Sequence, residues 1–402
     1  MISFSADLLL KAVWLALLCQ TQAVYAFSPL SLSHPSSWDR HVSNFHRPTP
    51  ASAVFLRATS SSTSNDGDDV YTIQILMSDT GGGHRASANA LRDAFDVLYP
   101  GKIQCDIVDI YTDYGSMWPL NDVVAIYKFM AKYPITWDIF YHFGATPFGL
   151  WLNELLLTIF CFDSFKECLN RPSGRTSNRA DMVVSVHPLC QDVPLKILAF
   201  LDSNGQTRDL SARKTPFCTV VTDLGSAHPT WFHPSVDKCF VPSDALNQAA
   251  RQRGLSNSQI VQYGLPIRKG FWAATATSST ASKPTLRKEL GLDPDLPTVL
   301  VVGGGDGMGG IVEIGTKLGE KLGKSGNKAT SQLVIVCGNN KEAKEKLHDK
   351  YWNKGVKVYV QGFVNNMDEW MKASDALVTK AGPGTIAEAS ICGLPCMMFS
   401  FL

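Results

Sequence analysis

The segment Met77-Ser78-Asp79-Thr80-Gly81-Gly82-Gly83-His84-Arg85-Ala86-Ser87-Ala88 joins a strand to a helix through a triple-glycine turn. Ahead of it, Tyr71 to Leu76 is apolar and β-branched, as a buried strand requires. Behind it, Ala86, Ala90, Leu91, Ala94, Phe95 and Leu98 recur at helical spacing. Three glycines let the backbone approach a ligand closely and aim the first helical N–H groups at it. That geometry suits a phosphate or a developing negative charge, with His84 at the junction. The turn is not a Walker A loop, because His84-Arg85 stands where Gly-Lys-Ser/Thr would be.

The same alternation runs outward from this turn. Strands are predicted at 71–77, 103–109, 181–186, 217–222, 237–241 and 259–263, with helices at 85–98, 120–132, 190–201 and 243–253. After an Ala/Ser/Thr-rich stretch from Phe271 to Lys283, read as a linker, a second series follows. Its strands are predicted at 298–303, 332–337, 356–360 and 375–379, and its helices at 310–323, 340–353, 366–372 and 384–392. The fold class is therefore α/β, with two Rossmann-like domains facing a cleft at the carboxyl ends of their strands. The domains expected are 70–268 and 286–402, joined by a linker at 269–285.

The 402 residues suffice for two cores, and a net charge of +1 argues against a nucleic-acid partner held by phosphate neutralisation. Ten cysteines without a C-x-x-C pair fit small core residues in a reducing compartment. Residues 1–26 read as a signal peptide, with an apolar run from Leu8 to Leu18 and a small-x-small site near Ala26. Residues 27–69 begin Phe27-Ser28-Pro29 and carry little acid before Asp66, like the transit part of a two-part leader into the complex plastid of an alga. Ordinary secretion is the alternative.

Tyr111 to Phe165 is dense in aromatic residues, among them Trp137 and Trp151. Its apolar run from Leu150 to Phe162 is too short to span a bilayer. The segment reads either as amphipathic helices lying in a headgroup layer or as a helical excursion packed on the core.

Two glycine turns mark the second domain. Gly303-Gly304-Gly305-Asp306-Gly307 follows a strand and admits a phosphate to helix N–H groups; a dinucleotide fingerprint or an empty tight turn would look similar. The next strand ends Val336-Cys337-Gly338-Asn339, without the acid that NAD binding would ask for. Lys380-Ala381-Gly382-Pro383-Gly384-Thr385-Ile386-Ala387-Glu388 opens a helix with N–H groups and a hydroxyl for a diphosphate. Glu388, one turn in, can accept two ribose hydroxyls or act as a solvated capping acid. Phe363, at a strand end on the same rim, suits a nucleobase wall or a core.

Together, the Met77–Ala88 turn, Val221-Thr222-Asp223-Leu224, His228-Pro229-Thr230-Trp231-Phe232-His233, Tyr263-Gly264-Leu265-Pro266-Ile267-Arg268 and Lys380–Glu388 resemble monogalactosyldiacylglycerol synthase, a family 28 glycosyltransferase. The resemblance runs from about Tyr71 to Pro395 and implies the GT-B fold. It also implies inverting transfer of galactose from UDP-galactose to 1,2-diacylglycerol, peripheral on a plastid envelope or thylakoid membrane, possible activation by anionic lipids, and no cofactor or metal. Carried onto this sequence, it makes His84 the general base, with Asp223 as an alternative base or as the group that orients an imidazole. Gly304, Gly305, Lys380, Gly382, Gly384 and Thr385 would hold the diphosphate, Phe363 and Val364 the uracil, and Glu388 the ribose. Gly82, Gly83, Trp137, Trp151 and Trp231 would face the acceptor lipid. A zinc reading of His187, His228 and His233 lacks the spacing of a tetrahedral site.

In the family, the sequence after Gly393-Leu394-Pro395 continues into a loop that contacts the donor sugar, whereas this one reads Cys396 to Leu402. The expectation is a fragment. The alternatives are a glucosyl- or N-acetylglucosaminyltransferase of the same fold, or a non-catalytic lipid- or nucleotide-binding protein.

Overall fold

The computed structural model describes residues 70–399 except 81, 174–177, 277–281, 306, 308–309 and 326–327. The signal and transit segments, 1–26 and 27–69, lie outside the described residues. The first unit contains β1 (Tyr71–Met77), α1 (Gly83–Leu98), β2 (Ile103–Asp109), α2 (Ile110–Tyr114), α3 (Val123–Lys132), α4 (Pro134–Gly144), α5 (Pro147–Asn170), β3 (Met182–Ser185), α6 (Asp192–Asp202), β4 (Phe217–Val220), β5 (Lys238–Val241), α7 (Asp244–Gln252) and β6 (Ile260–Gln262). Its six strands are all parallel, in the order β2-β1-β3-β4-β5-β6. β1 is buried along its length because helices cover both faces of the sheet. One face carries the core around Phe165, Phe217 and Trp231, and the other the core around Ile73, Ile75 and Met77.

The second unit contains α8 (Lys269–Ala276), α9 (Lys283–Glu289), β7 (Thr298–Val302), α10 (Ile311–Leu322), β8 (Ser331–Val336), α11 (Lys341–His348), β9 (Val356–Gln361), α12 (Met367–Ala373), β10 (Ala376–Thr379), α13 (Pro383–Ile391) and β11 (Cys396–Met398). Its strands are parallel, in the order β11-β10-β7-β8-β9. The strand order reverses between β1 and β3 in the first sheet and between β7 and β10 in the second. Ligands of open α/β sheets bind at such switch points, beyond the carboxyl ends of the strands. The triple-glycine turn follows β1, and the Gly304 and Gly384 turns follow β7 and β10.

Two readings change. The linker is shorter than expected, because α8 and α9 occupy most of 269–285. Phe271 anchors α8 in the second core, and the buried Arg287 holds α9 by donating to the Ala373 carbonyl at 2.9 Å and to Asp375 at 2.6 Å. Alanine-rich composition signals helix as readily as linker once such anchors flank it. The aromatic segment forms four helices, α2 to α5, where 120–132 was the one helix given limits. Its longest, α5, has 24 residues and by length and composition could cross a membrane. Its C-terminal half nevertheless buries Leu157, Cys161, Phe165 and Cys168 in the first core, and it packs on α6. β11 pairs with β10, and Met397 and Met398 are exposed.

Candidate active site

Asp79 and Arg85 brace the turn after β1 through a two-pronged ion pair (Nε–Oδ1 2.6 Å, Nη2–Oδ2 2.5 Å), and the Asp79 N–H donates to Asp109 at 3.0 Å. Gly82 has φ +72°, a conformation that favours glycine, and Gly82 and Gly83 are exposed. Beneath them His84 is fully buried. Its Nδ1 lies 2.7 Å from the Val186 carbonyl and 3.2 Å from Thr222 Oγ1. A carbonyl only accepts, so Nδ1 carries the proton and Nε2 is the basic nitrogen. Burial pushes the His84 pKa down to about 4, against the opposing pull of the Val186 carbonyl and Asp79. The imidazolium is disfavoured there by roughly 3 kcal/mol relative to water. At neutral pH the ring is therefore a neutral base.

His187, at the end of β3, packs edge-on against His84 with ring centroids 4.7 Å apart. Its Nδ1 accepts from the Leu189 N–H at 3.3 Å, which leaves Nε2–H to donate to Thr80 Oγ1 at 3.2 Å. Burial, then the neighbouring His84, lowers its pKa. Asp223, beyond β4, accepts from Trp231 Nε1 at 2.7 Å. Burial pushes the Asp223 pKa up to about 7, and the indole bond only partly offsets this. Trp231 is fully buried and 6.1 Å from His84 between ring centroids. Expected from the sequence to face the acceptor lipid, it is covered as placed and packs against Asp223 and His84.

His228 is buried with Nδ1 accepting from Thr230, packs on Tyr141 at 5.3 Å, and has its pKa pushed down to about 3 by burial. His233 lies 3.4 Å from Asp192. The three histidines once weighed as zinc ligands thus take separate partners, and among the described residues no three His, Cys, Asp or Glu side chains gather as for a metal.

At the second switch point a cleft is lined by Gly304, Gly305, Phe363, Val364, Thr385 and Glu388, together with Arg268 and Gly338. Gly304 has φ +75°, and a Cβ there would stand 3.7 Å from Lys380 Nζ, so the ammonium lies against this turn. At Gly307 (φ +59°) a Cβ would come within 1.9 Å of the Cys337 carbonyl, and at Gly338 (φ +57°) within 2.3 Å of the Gly305 carbonyl. The two turns press together as only glycines allow. Gly382 and Gly384 open α13 behind Thr385. Phe363 is 60% exposed toward solvent, a wall and not a core residue. Glu388 is buried and receives Arg268 side-on (Nε–Oε1 2.6 Å, Nη2–Oε2 2.5 Å), so it is not a solvated cap. α13, which carries Thr385 and Glu388, touches α1, which carries His84 in its first turn.

The aromatic segment divides. Trp137 is 2% exposed and packs on Tyr127 at 5.9 Å, so it cannot meet a lipid as placed. Trp151 is 56% exposed and stands with Phe148, Ile135, Ile139 and Ile159 on an apolar surface of α4 and α5.

The structure gathers six of the residues expected to hold the nucleotide sugar, Gly304, Gly305, Phe363, Val364, Thr385 and Glu388, around one cleft, and sets His84 and Asp223 on either side of Trp231 in the first unit. Sequence reasoning missed His187, Thr222 and Tyr141 as neighbours of the first centre and gave Arg268 no role. The signal for His187 was its place one residue past a predicted strand at a switch point.

Residues 84–267 match the monogalactosyldiacylglycerol (MGDG) synthase family, and residues 298–401 match the glycosyltransferase family 28 C-terminal domain. The chain is 42% identical over 331 residues to a protein of Oryza sativa subsp. indica named probable monogalactosyldiacylglycerol synthase 2, chloroplastic, covering 82% of this chain and 66% of that one. It is 40% identical over 334 residues to monogalactosyldiacylglycerol synthase 3, chloroplastic, of Arabidopsis thaliana, covering 83% and 67%. It thus spans about two thirds of the length of these curated relatives. Among solved structures it is similar to UDP-GlcNAc 2-epimerase from Neisseria meningitidis bound to UDP-GlcNAc, at 11% identity and TM-score 0.46, with 82% of each chain covered. The sequence matches over both α/β units establish that the chain belongs to the monogalactosyldiacylglycerol synthase family.

Proposed function

We propose that this protein transfers galactose from UDP-galactose to the free hydroxyl of 1,2-diacylglycerol, with inversion, at a plastid membrane. The observation that carries the chemistry is His84: neutral, with Nδ1–H fixed on Val186, at the switch point of the first sheet. The acceptor hydroxyl attacks the anomeric carbon, forming the new glycosidic C–O bond, while its proton passes to His84 Nε2. The anomeric C–O bond to UDP breaks, and its electrons leave on the β-phosphate oxygen. The glycine turns after β7 and β10, Lys380 and Thr385 stabilise that departing charge. Phe363 and Val364 flank the base, and Glu388 takes the ribose. The nucleotide sugar is a substrate, and the reaction so written asks for no cofactor or metal.

The exposed apolar surface of α4 and α5 supports docking on a bilayer, where Trp151, Phe148, Ile135, Ile139 and Ile159 enter the headgroup layer. The chloroplastic names of the relatives support a plastid, and we place the protein peripherally on an envelope or thylakoid membrane.

The test is a donor panel, UDP-galactose, UDP-glucose and UDP-N-acetylglucosamine, offered with diacylglycerol vesicles. Galactolipid of β-configuration formed fastest from UDP-galactose is the expected outcome. Preference for another sugar would move the protein to a sister activity, and UDP binding without transfer to any lipid would make it a binding protein.

A further inference from the structure

Three neighbouring strands of the first sheet converge on His84. β1 leads through the glycine turn into α1, which carries it, and the adjacent β3 and β4 run out just before Val186 and Thr222. The one proton on His84 Nδ1 therefore meets two acceptors, the Val186 carbonyl at 2.7 Å and Thr222 Oγ1 at 3.2 Å. Both are uncharged, and both residues are buried. The carboxylates nearby are engaged elsewhere, Asp79 by Arg85 and Asp223 by Trp231. In a Ser-His-Asp triad a carboxylate takes this place, where it orients the ring and stabilises the imidazolium. Here neutral oxygens stand there instead. The carbonyl alone fixes the tautomer, so the hydroxyl is free for another use. One N–H shared between two acceptors is a three-centre bond. Both of its arms strengthen when the ring becomes charged, because charge-assisted hydrogen bonds are roughly twice as strong as neutral ones.

We propose that Thr222 is a positioning residue for the transfer: its hydroxyl holds the His84 ring from the β4 side and stabilises the imidazolium that forms as the acceptor proton arrives on Nε2. This rests on the reading of His84 as the base. The proton stays on Nε2, and none moves to Thr222, whose oxygen only shares the Nδ1–H. A carboxylate in that place would have to be buried as an ion before any substrate arrived, which is unfavourable. A threonine supplies the acceptor without a buried charge. Because the bond strengthens only once the ring is charged, it acts on turnover and not on the binding of either substrate.

The experiment measures kcat and KM for galactosyl transfer to diacylglycerol in vesicles on the full chain and its Thr222→Val, Thr222→Ser, His84→Ala and His84→Ala/Thr222→Val variants. UDP affinity and thermal unfolding are measured on the same preparations. Valine keeps the shape of threonine and leaves Nδ1–H on the Val186 carbonyl, so no buried donor is orphaned and the variant should fold. Thr222→Val should lower kcat about tenfold, the difference between a charge-assisted and a neutral hydrogen bond, with KM for diacylglycerol and UDP affinity at the parent's values. Thr222→Ser, which keeps the hydroxyl, should recover most of the rate. On the residual activity of His84→Ala the same valine should have no further effect, because the bond it removes is already gone. Thr222→Val turning over like the parent while His84→Ala does not would overturn the positioning role and leave the base standing. Serine as slow as valine, or an undiminished loss in the His84→Ala background, would show that the hydroxyl does not act through the ring and would also overturn it. His84→Ala with the parent's turnover would remove the base, and the role of Thr222 with it.

Discussion

At the scale of single residues, two buried groups in the first unit could take a proton, and their environments push them in opposite directions. Desolvation lowers His84 to about 4 and raises Asp223 to about 7. Either group acts as a base only when unprotonated, so activity is lost as pH falls through the pKa of the one in use. With His84 as the base, the acid limb of kcat/KM lies well below pH 6, because the imidazole stays neutral down to about 4. With Asp223 as the base, the limb lies near 7. A pH–rate profile with diacylglycerol in vesicles separates them, and we expect the lower limb. His187 and Trp231 fit the same assignment. Trp231 engages Asp223 through its N–H, and that bond fixes the carboxyl on the indole.

At the scale of elements, α4 and α5 divide their labour along their length. Trp137, Leu157 and Phe165 face inward, while Ile139, Phe148, Trp151 and Ile159 face outward. Glutamate at Ile139 and Trp151 should therefore lower sedimentation with liposomes severalfold and leave unfolding temperature nearly unchanged, since neither side chain is in a core. Trp137→Phe should leave vesicle binding at the parent level. Unchanged binding in the Ile139/Trp151 variant would remove this face from the membrane. The sequence could not assign these faces, because aromatic residues at helical spacing serve a core and an interface equally well. Register against the sheet decides which, and a single chain of letters does not carry that. Strands were another matter: Tyr71–Met77 and Ile103–Asp109 match their predicted limits, since their seven-residue length and flanking turns favour a strand over a helix. The motif residues were legible for a similar reason, as Gly304, Gly307 and Gly384 sit at strand-to-helix turns that the alternation itself locates. His187 and Arg268 were not, because their roles depend on partners more than 100 residues away in the chain.

At the scale of the whole molecule, the account assigns different tasks to the two sheets. In the proposed reaction the first, at its β1/β3 switch point, takes the base and the acceptor. In the same proposal the second, at its β7/β10 switch point, takes the nucleotide, and α1 touches α13 between them. If the tasks are separable, damage to the first site should stop chemistry without disturbing nucleotide binding. The most direct test is the rate of galactosyl transfer from UDP-galactose to diacylglycerol in vesicles by His84→Ala, with UDP affinity measured on the same preparation. The account predicts a fall in turnover of about 10²- to 10⁴-fold, the contribution expected of a general base, with UDP bound as tightly as by the parent. Turnover within a few-fold of the parent would contradict it.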